Sequence, residues 1–159
     1  MSDLSPLEEK LGEVMGLAQA ATEATRKVRK LVKGHDDIAR TLEQMSKEAK
    51  ETAERCADIA GELPGKKTAV QRKARETKAE AREMMKTYLS DDADALDGLE
   101  FLIMAEAGEL GHVEIVRAIN GRAGDARIRE LVEWAQPIQQ RHVEMTRSAA
   151  LKLAETEAG

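Results

Sequence analysis

The stretch LEFLIMAEAGELGHVEIV, Leu99 to Val116, decides the fold. Leu99, Leu102, Leu110, Val113 and Val116, with Leu96 before them and Ile103 beside them, recur at the spacing of one helix face. On a helical wheel, Glu106 falls in the middle of that apolar stripe and Glu109 at its edge. A carboxylate carried into a helical core costs several kcal/mol unless it is paired or ligates a metal. The stretch thus predicts a helix-on-helix core with a polar site inside it.

Working outward, the rest of the chain repeats the helical pattern. Ser5-Pro6 starts a first helix, with Glu8 and Glu9 in its first turn and a stripe from Leu7, Leu11 and Val14 to Val28 and Val32. Gly34 ends it. A second begins around His35-Asp36-Asp37 and carries Ile38, Leu42, Met45, Ala49, Cys56, Ile59 and Leu63. The break GELPGKK (Gly61 to Lys67) is the strongest turn signal in the chain. The segment from Thr68 to Leu89 is highly charged, with a thin face of Val70, Met84, Met85 and Leu89, and reads as a weakly packed crossover helix. Ser90-Asp91-Asp92 is expected to cap the next helix, and NGRAGD (Asn120 to Asp125) to end it. The last helix presents Ile128, Leu131, Val132, Ala135, Ile138, His142, Met145, Ala149 and Leu153, with a kink expected at Pro137. Four long amphipathic helices in two hairpins, joined by a long connection, predict an all-α four-helix bundle in one domain over 1–159, with 68–89 as the crossover.

Composition agrees. The chain has 159 residues, 35% of them charged, and its aromatic residues are Tyr88, Phe101 and Trp134 alone. Strand-rich folds lack the β-branched and aromatic runs they need here. The net charge of −5 argues against a nucleic-acid partner, and the short basic runs RKVRKLVK (Arg26 to Lys33) and KKTAVQRKAR (Lys66 to Arg75) read as solvated faces. Cys56 is the lone cysteine and falls on an apolar face, so it reads as a core residue. The acidic beginning has no apolar signal core, and no run approaches membrane-spanning length. A soluble, cytoplasmic protein with no membrane partner is expected. Neither a Gly-x-Ser-x-Gly elbow nor a phosphate-binding glycine loop is present, which leaves a nucleophilic enzyme without support.

The polar residues on apolar faces then carry the functional reading. His142 falls inward on the last helix with Gln139 beside it, whereas His112 points away from the stripe of its own helix. One reading pairs Glu106 with His142 by hydrogen bonding, or leaves both partly wet. The other makes them metal ligands, since bundle metal sites use inward glutamates and Glu-x-x-His pairs. A complete two-metal set is lacking. The first helix offers Thr22 and Thr25 inward while Glu23 lies outside; the second offers Glu43-Gln-Met-Ser46, and the last Gln139-Gln-Arg-His142. Serine and amide oxygens are poorer ligands than histidine and carboxylate.

At these residues the chain resembles the YciF-type proteins, a stress-associated branch of the ferritin-like superfamily. TLEQMSKEAKETAERCADIAGELPGKK (Thr41 to Lys67) is similar to that family's second helix and Gly-Lys turn, where the family reads His-Leu-Glu-Glu-Thr-His. AEAGELG (Ala105 to Gly111) is similar to its Glu-His-Tyr-Glu motif, with Glu106 and Glu109 as the carboxylates. Gly124 falls on its loop glycine and Gln139 on one of its glutamates. The departures are Ser46 for a histidine, Gln139 for a glutamate, and the missing glutamate and aromatic residues. The resemblance implies a ferritin-like bundle, often dimeric, with possible iron binding and a link to stress.

Two functions are expected on this basis. In the first, Glu43, Glu106, Glu109 and His142 form a reduced or vestigial site for iron or another divalent transition metal. Any surviving redox chemistry would be ferroxidase- or peroxidase-like. The alternative is a helical structural or interaction module without metal, with Met84, Met85 and Tyr88 as a candidate patch, and a homodimer is expected on either reading.

Overall fold

Ser5 opens the first helix with a capping box: its hydroxyl accepts from the Glu8 N–H at 3.2 Å, and the Glu8 carboxylate accepts from the Ser5 N–H at 2.9 Å. The computed structural model describes residues 3–158. It is built from α1 (Pro6–Leu31), α2 (Asp36–Glu62), α3 (Lys67–Tyr88), α4 (Ala95–Ala123) and α5 (Ala126–Ala158), with no strand among the described residues. The fold is all-α, as the stripes predict.

Two boundaries rest on local chemistry. Asp94, rather than the Ser90–Asp92 run, caps α4, because it forms a second capping box with Asp97. Gly124 ends α4 with φ at +67°, a left-handed conformation suited to glycine. Buried Asn120 closes the same turn by exchanging hydrogen bonds with the backbone of Asp125 at 2.9 and 3.0 Å. The Asp125 carboxylate then accepts from the N–H groups of Arg127 and Ile128, which starts α5.

Cross-helix pairs fix the directions. Ser46 on α2 donates to the Thr22 carbonyl of α1, and Arg29 meets Glu43, so α1 and α2 are antiparallel. Arg117 bonds Gln136, and Gln139 bonds Glu106, so α4 and α5 are antiparallel. Asp37 with Lys152 and Glu62 with Arg127 set α2 against α5. Gly98 of α4 lies on Val28 of α1 and His112 near Glu13, so those two helices are also antiparallel. The four long helices therefore run up, down, down and up, and α3 carries the chain back along the bundle between α2 and α4.

The expectation of a weakly packed α3 is corrected. A Cβ added at Gly16 would lie 2.4 Å from the Ala74 carbonyl oxygen, and one at Gly12 would lie 2.8 Å from Lys73 Cβ. These glycines let α3 seat directly on α1, where Val70, Ala74 and Met85 are buried. Arg82 and Lys78 of α3 also grip Glu23, and the Arg82 hydrogen bond holds that carboxyl at about 2. Met85 belongs to the core, whereas Met84 and Tyr88 are exposed; the expected patch is thus divided, with Tyr88 turned to Phe101 at 6.0 Å between ring centroids.

The core lies in two apolar clusters. One gathers Leu7, Leu11, Val14, Cys56, Ile59, Val113, Val116, Ile128 and Leu131. The other gathers Val28, Val32, Ile38, Leu42, Met45, Leu99, Leu102, Ala150 and Leu153. Cys56 is wholly buried, and burial pushes its thiol up to about 12, so it is an inert core residue. Between the clusters every long helix contributes a buried polar side chain: Thr25, Ser46 with Thr52, Glu106 with Glu109, and Gln139 with His142 and Thr146.

Candidate functional site

The polar level is built around His142. Helix α5 stays continuous through Pro137, which is exposed, as is Glu133, whose carbonyl loses its ladder donor. Its inward face is turned slightly from the predicted one. Gln139, Thr146 and Ala150 are buried, while Ile138, Met145 and Ala149 are only half-buried. That turn brings Gln139 and His142 onto Glu106 of α4. Gln139 does not serve the carbonyl freed by Pro137; its amide donates to the Glu106 carboxylate at 2.9 Å and to the Glu106 carbonyl at 3.2 Å.

His142 is 1% exposed and lies between two carboxylates. Its Nε2 is 2.9 Å from Glu48 Oε1 on α2, and its Nδ1 is 3.4 Å from Glu106 Oε1. Arg141, one residue earlier, bonds the other Glu48 oxygen from the surface. Burial disfavours a charged imidazole, but contact with Glu106 and then Glu48 outweighs it and raises the His142 pKa. Burial likewise opposes ionisation of Glu106, and contacts with Glu109, His142 and Gln139 overcome it, so this carboxyl is held below the usual range. Glu48 is also lowered: burial is outweighed by His142 and Arg141.

Glu109 is the opposite case. Burial, with the adjacent Glu106 charge adding to it, pushes its carboxyl well above the ordinary range. These shifts favour a charged His142 between ionised Glu48 and Glu106, and the protonated form of Glu109. Glu106 Oε1 and Glu109 Oε2 are buried without a conventional donor; His142 Nδ1 stands 3.4 Å from the first, and a proton shared between the two carboxyls accounts for the pair.

No protein-family model, curated protein or solved structure matches this chain. The site must therefore be judged on its own residues. The structure brings together three of the four residues nominated from sequence, Glu106, Glu109 and His142. Glu43 lies elsewhere: it is at the surface, 3.4 Å from Arg29 and 4.0 Å from Lys47. The α2 carboxylate that reaches His142 is Glu48, which the sequence reading missed. The available signal was its place three residues after Met45 and four before Thr52, both buried, which puts it on the flank of the inward face. His112 stays outside, as its wheel position predicts. Its Nδ1 is 2.9 Å from the Gly108 carbonyl, and its Nε2 is 3.6 Å from Glu13.

The donor set suits a divalent cation in part. Carboxylate and imidazole together are ligands for iron, manganese or zinc. Glu48 holds the outer nitrogen of His142 in the way that ligand histidines are commonly oriented by a carboxylate. Among the described residues, no three His, Cys, Asp or Glu side chains stand as a ready-made metal cage. Binding an ion here would require Glu109 to give up its proton and the carboxyl groups to turn.

Proposed function

We propose that this chain is a ferritin-like bundle, akin to the YciF-type stress proteins, whose reduced mid-bundle site takes one divalent transition metal ion. The up-down-down-up course of the long helices, with a connection running back along the bundle, supports the architecture. The meeting of two buried, hydrogen-bonded carboxyls, Glu106 and Glu109, with a buried imidazole 3.4 Å from Glu106 carries the reading. Glu106, Glu109 and His142 would hold the ion, and Glu48 would orient the imidazole. An iron ion held there would supply one-electron chemistry toward peroxide or oxygen. The chain's own residues bury the site between two apolar clusters and hold a dissociable proton at Glu109.

A second reading has its own support. Arg141 and His142 stand against Glu48 and Glu106 as two opposed pairs, and burial favours the neutral form of Glu109. The level could then serve only to set the register of the helices in a structural or interaction module. Anaerobic titration with Co(II), followed by its visible ligand-field absorption, separates the two. The metal reading expects saturation at one equivalent per chain, loss of the bands in His142→Ala, and no change in Glu43→Gln. Absence of any Co(II) spectrum in the unaltered protein would reject it in favour of the scaffold.

A further inference from the structure

The α1–α2 hairpin carries a charge excess that the polar level does not use. The chain as a whole has a net charge of −5, yet the facing turns of these two helices are basic. Arg26 and Arg29 stand one turn apart on α1, and Lys47 and Lys50 one turn apart on α2. Because the helices are antiparallel, the two pairs oppose each other across the groove between them. All four side chains line a cavity of about 290 Å³ there, over a floor of buried Thr25, Leu42 and Ser46.

In this groove four cations meet one carboxylate. Glu43 lies 3.4 Å from Arg29 and 4.0 Å from Lys47. Arg26 and Lys50 have no ion pair or hydrogen bond among the described residues. Like charges gathered on one groove repel one another, and exposed pairs such as those to Glu43 offset little of that. A bound anion offsets it directly. The rest of the basic run does not share the arrangement, since Lys27 and Lys30 are exposed on α1 away from the cavity.

The spacing also sets the kind of anion. Three residues at 1.5 Å rise put the members of each basic pair about 4.5 Å apart along the helix. Packed helix axes lie about 8–10 Å apart. A compact anion such as orthophosphate reaches only part of that rectangle. An anion with charges strung along a chain reaches both helices and both turns at once. The arginine fork matches phosphate oxygens in pairs, and lysine meets them as a point charge. Ser46 adds a hydroxyl on the floor, and its bond to the Thr22 carbonyl is long at 3.3 Å.

We propose that this groove binds a short oligophosphate chain, held by Arg26 and Arg29 from α1 and by Lys47 and Lys50 from α2. Glu43 is the internal competitor, because its carboxylate holds Arg29 and Lys47 when no anion does. The site is separate from Glu106, Glu109 and His142 and does not rest on the metal reading.

The test is calorimetric titration of the full chain after chelator treatment, because oligophosphates also sequester metal ions. The probes are tripolyphosphate, orthophosphate and ATP, all without divalent metal. Tripolyphosphate is expected at one site per chain, about tenfold or more tighter than orthophosphate, with an affinity that falls as salt is raised. ATP should match tripolyphosphate within about threefold, since no aromatic side chain lines the groove to stack on a base. Arg26→Gln and Lys50→Gln change exposed positions and should each weaken tripolyphosphate by about tenfold, the loss of one charge-assisted contact. Glu43→Gln should tighten it by about threefold or more. Lys27→Gln and Lys30→Gln should each change it by less than about twofold at physiological salt. No tripolyphosphate binding, equal weakening by Lys27→Gln and Arg26→Gln, or weaker binding in Glu43→Gln would each overturn the assignment. Binding of ATP far tighter than tripolyphosphate would also overturn it, because the base and not the phosphate chain would then be recognised.

Discussion

The two helical hairpins meet at the polar level with different chemistry. The α1–α2 side brings short hydroxyls, which satisfy themselves. Thr25 donates to the Ala21 carbonyl at 2.8 Å, Thr52 to Glu48 at 3.0 Å, and Ser46 to Thr22 at 3.3 Å. The α4–α5 side brings Glu106, Glu109, Gln139 and His142, whose longer side chains reach across and depend on one another. A buried hydroxyl can close its bond on its own helix. A buried carboxyl has more acceptor sites than its neighbours can fill. The difference explains why the two buried carboxyls, Glu106 and Glu109, are both on α4 and depend on each other and on α5, and why any bound ion would be held mainly by one hairpin with Glu48 as the outside support.

The largest expected break in this contrast is His142→Ala. It strands Glu48 and Glu106, and unpairing buried charges costs about 3–5 kcal/mol. The raised His142 pKa contributes stability that is fully present below 6.5 and lost as the pH rises through its folded value. The lowered pKa values of Glu106 and Glu48 contribute stability present above 4.5 and lost as the pH falls through theirs. Urea melts of metal-free protein should therefore show the largest loss between those limits, shrinking on either side. By comparison, Leu11→Ala in the first apolar cluster should cost about 2–5 kcal/mol with no such pH profile. An equal pH profile for the two variants would dissolve the distinction between core and polar level.

Smaller changes sharpen it. Glu48→Gln should cost about 1–3 kcal/mol, because a charge-assisted bond to His142 is lost. The pair Glu48→Gln and Glu43→Gln compares a site carboxyl with a surface one, and the latter should stay within about 0.5 kcal/mol in thermal melts. Glu109→Gln should have the opposite sign. A carboxyl whose pKa rises on folding costs stability as the pH climbs above 4.5 toward its folded value. Without metal at pH 8, the variant is expected to be more stable than the unaltered protein by about 1–2 kcal/mol, or a few degrees in Tm. Destabilisation at pH 8 would mean that Glu109 is ionised and paired.

The stripes of α1, α2, α4 and the first half of α5 were legible because they alternate large aliphatic and charged residues. Glu106 and His142 stood out for the same reason, as polar residues framed by Leu and Val. The seat of α3 was not legible by that rule, since glycine adds nothing to an apolar stripe; the Gly12-x-x-x-Gly16 spacing was the sign of close approach. Glu48 was hidden for a related reason. Its stem flanks the core and its head is reached by His142 from another helix, a contact between residues 94 apart in sequence. Glu43 carried the stronger local pattern, but the rotation of α2 gives it to Arg29. Caps were read to within one turn, because Ser90, Asp91, Asp92 and Asp94 are all competent and only the Asp94–Asp97 pairing selects among them.

The most direct test of the central claim is metal stoichiometry. Tag-free protein would be loaded anaerobically with Fe(II), Mn(II) or Zn(II), dialysed, and analysed by mass spectrometry for metal per chain, beside Glu109→Gln and His142→Ala. The account expects one ion per chain in the unaltered protein and a loss of most of it in both variants. No retained metal in any of the three, with the unaltered protein fully folded, would contradict it and leave the polar level as a charge-balanced brace between two apolar clusters.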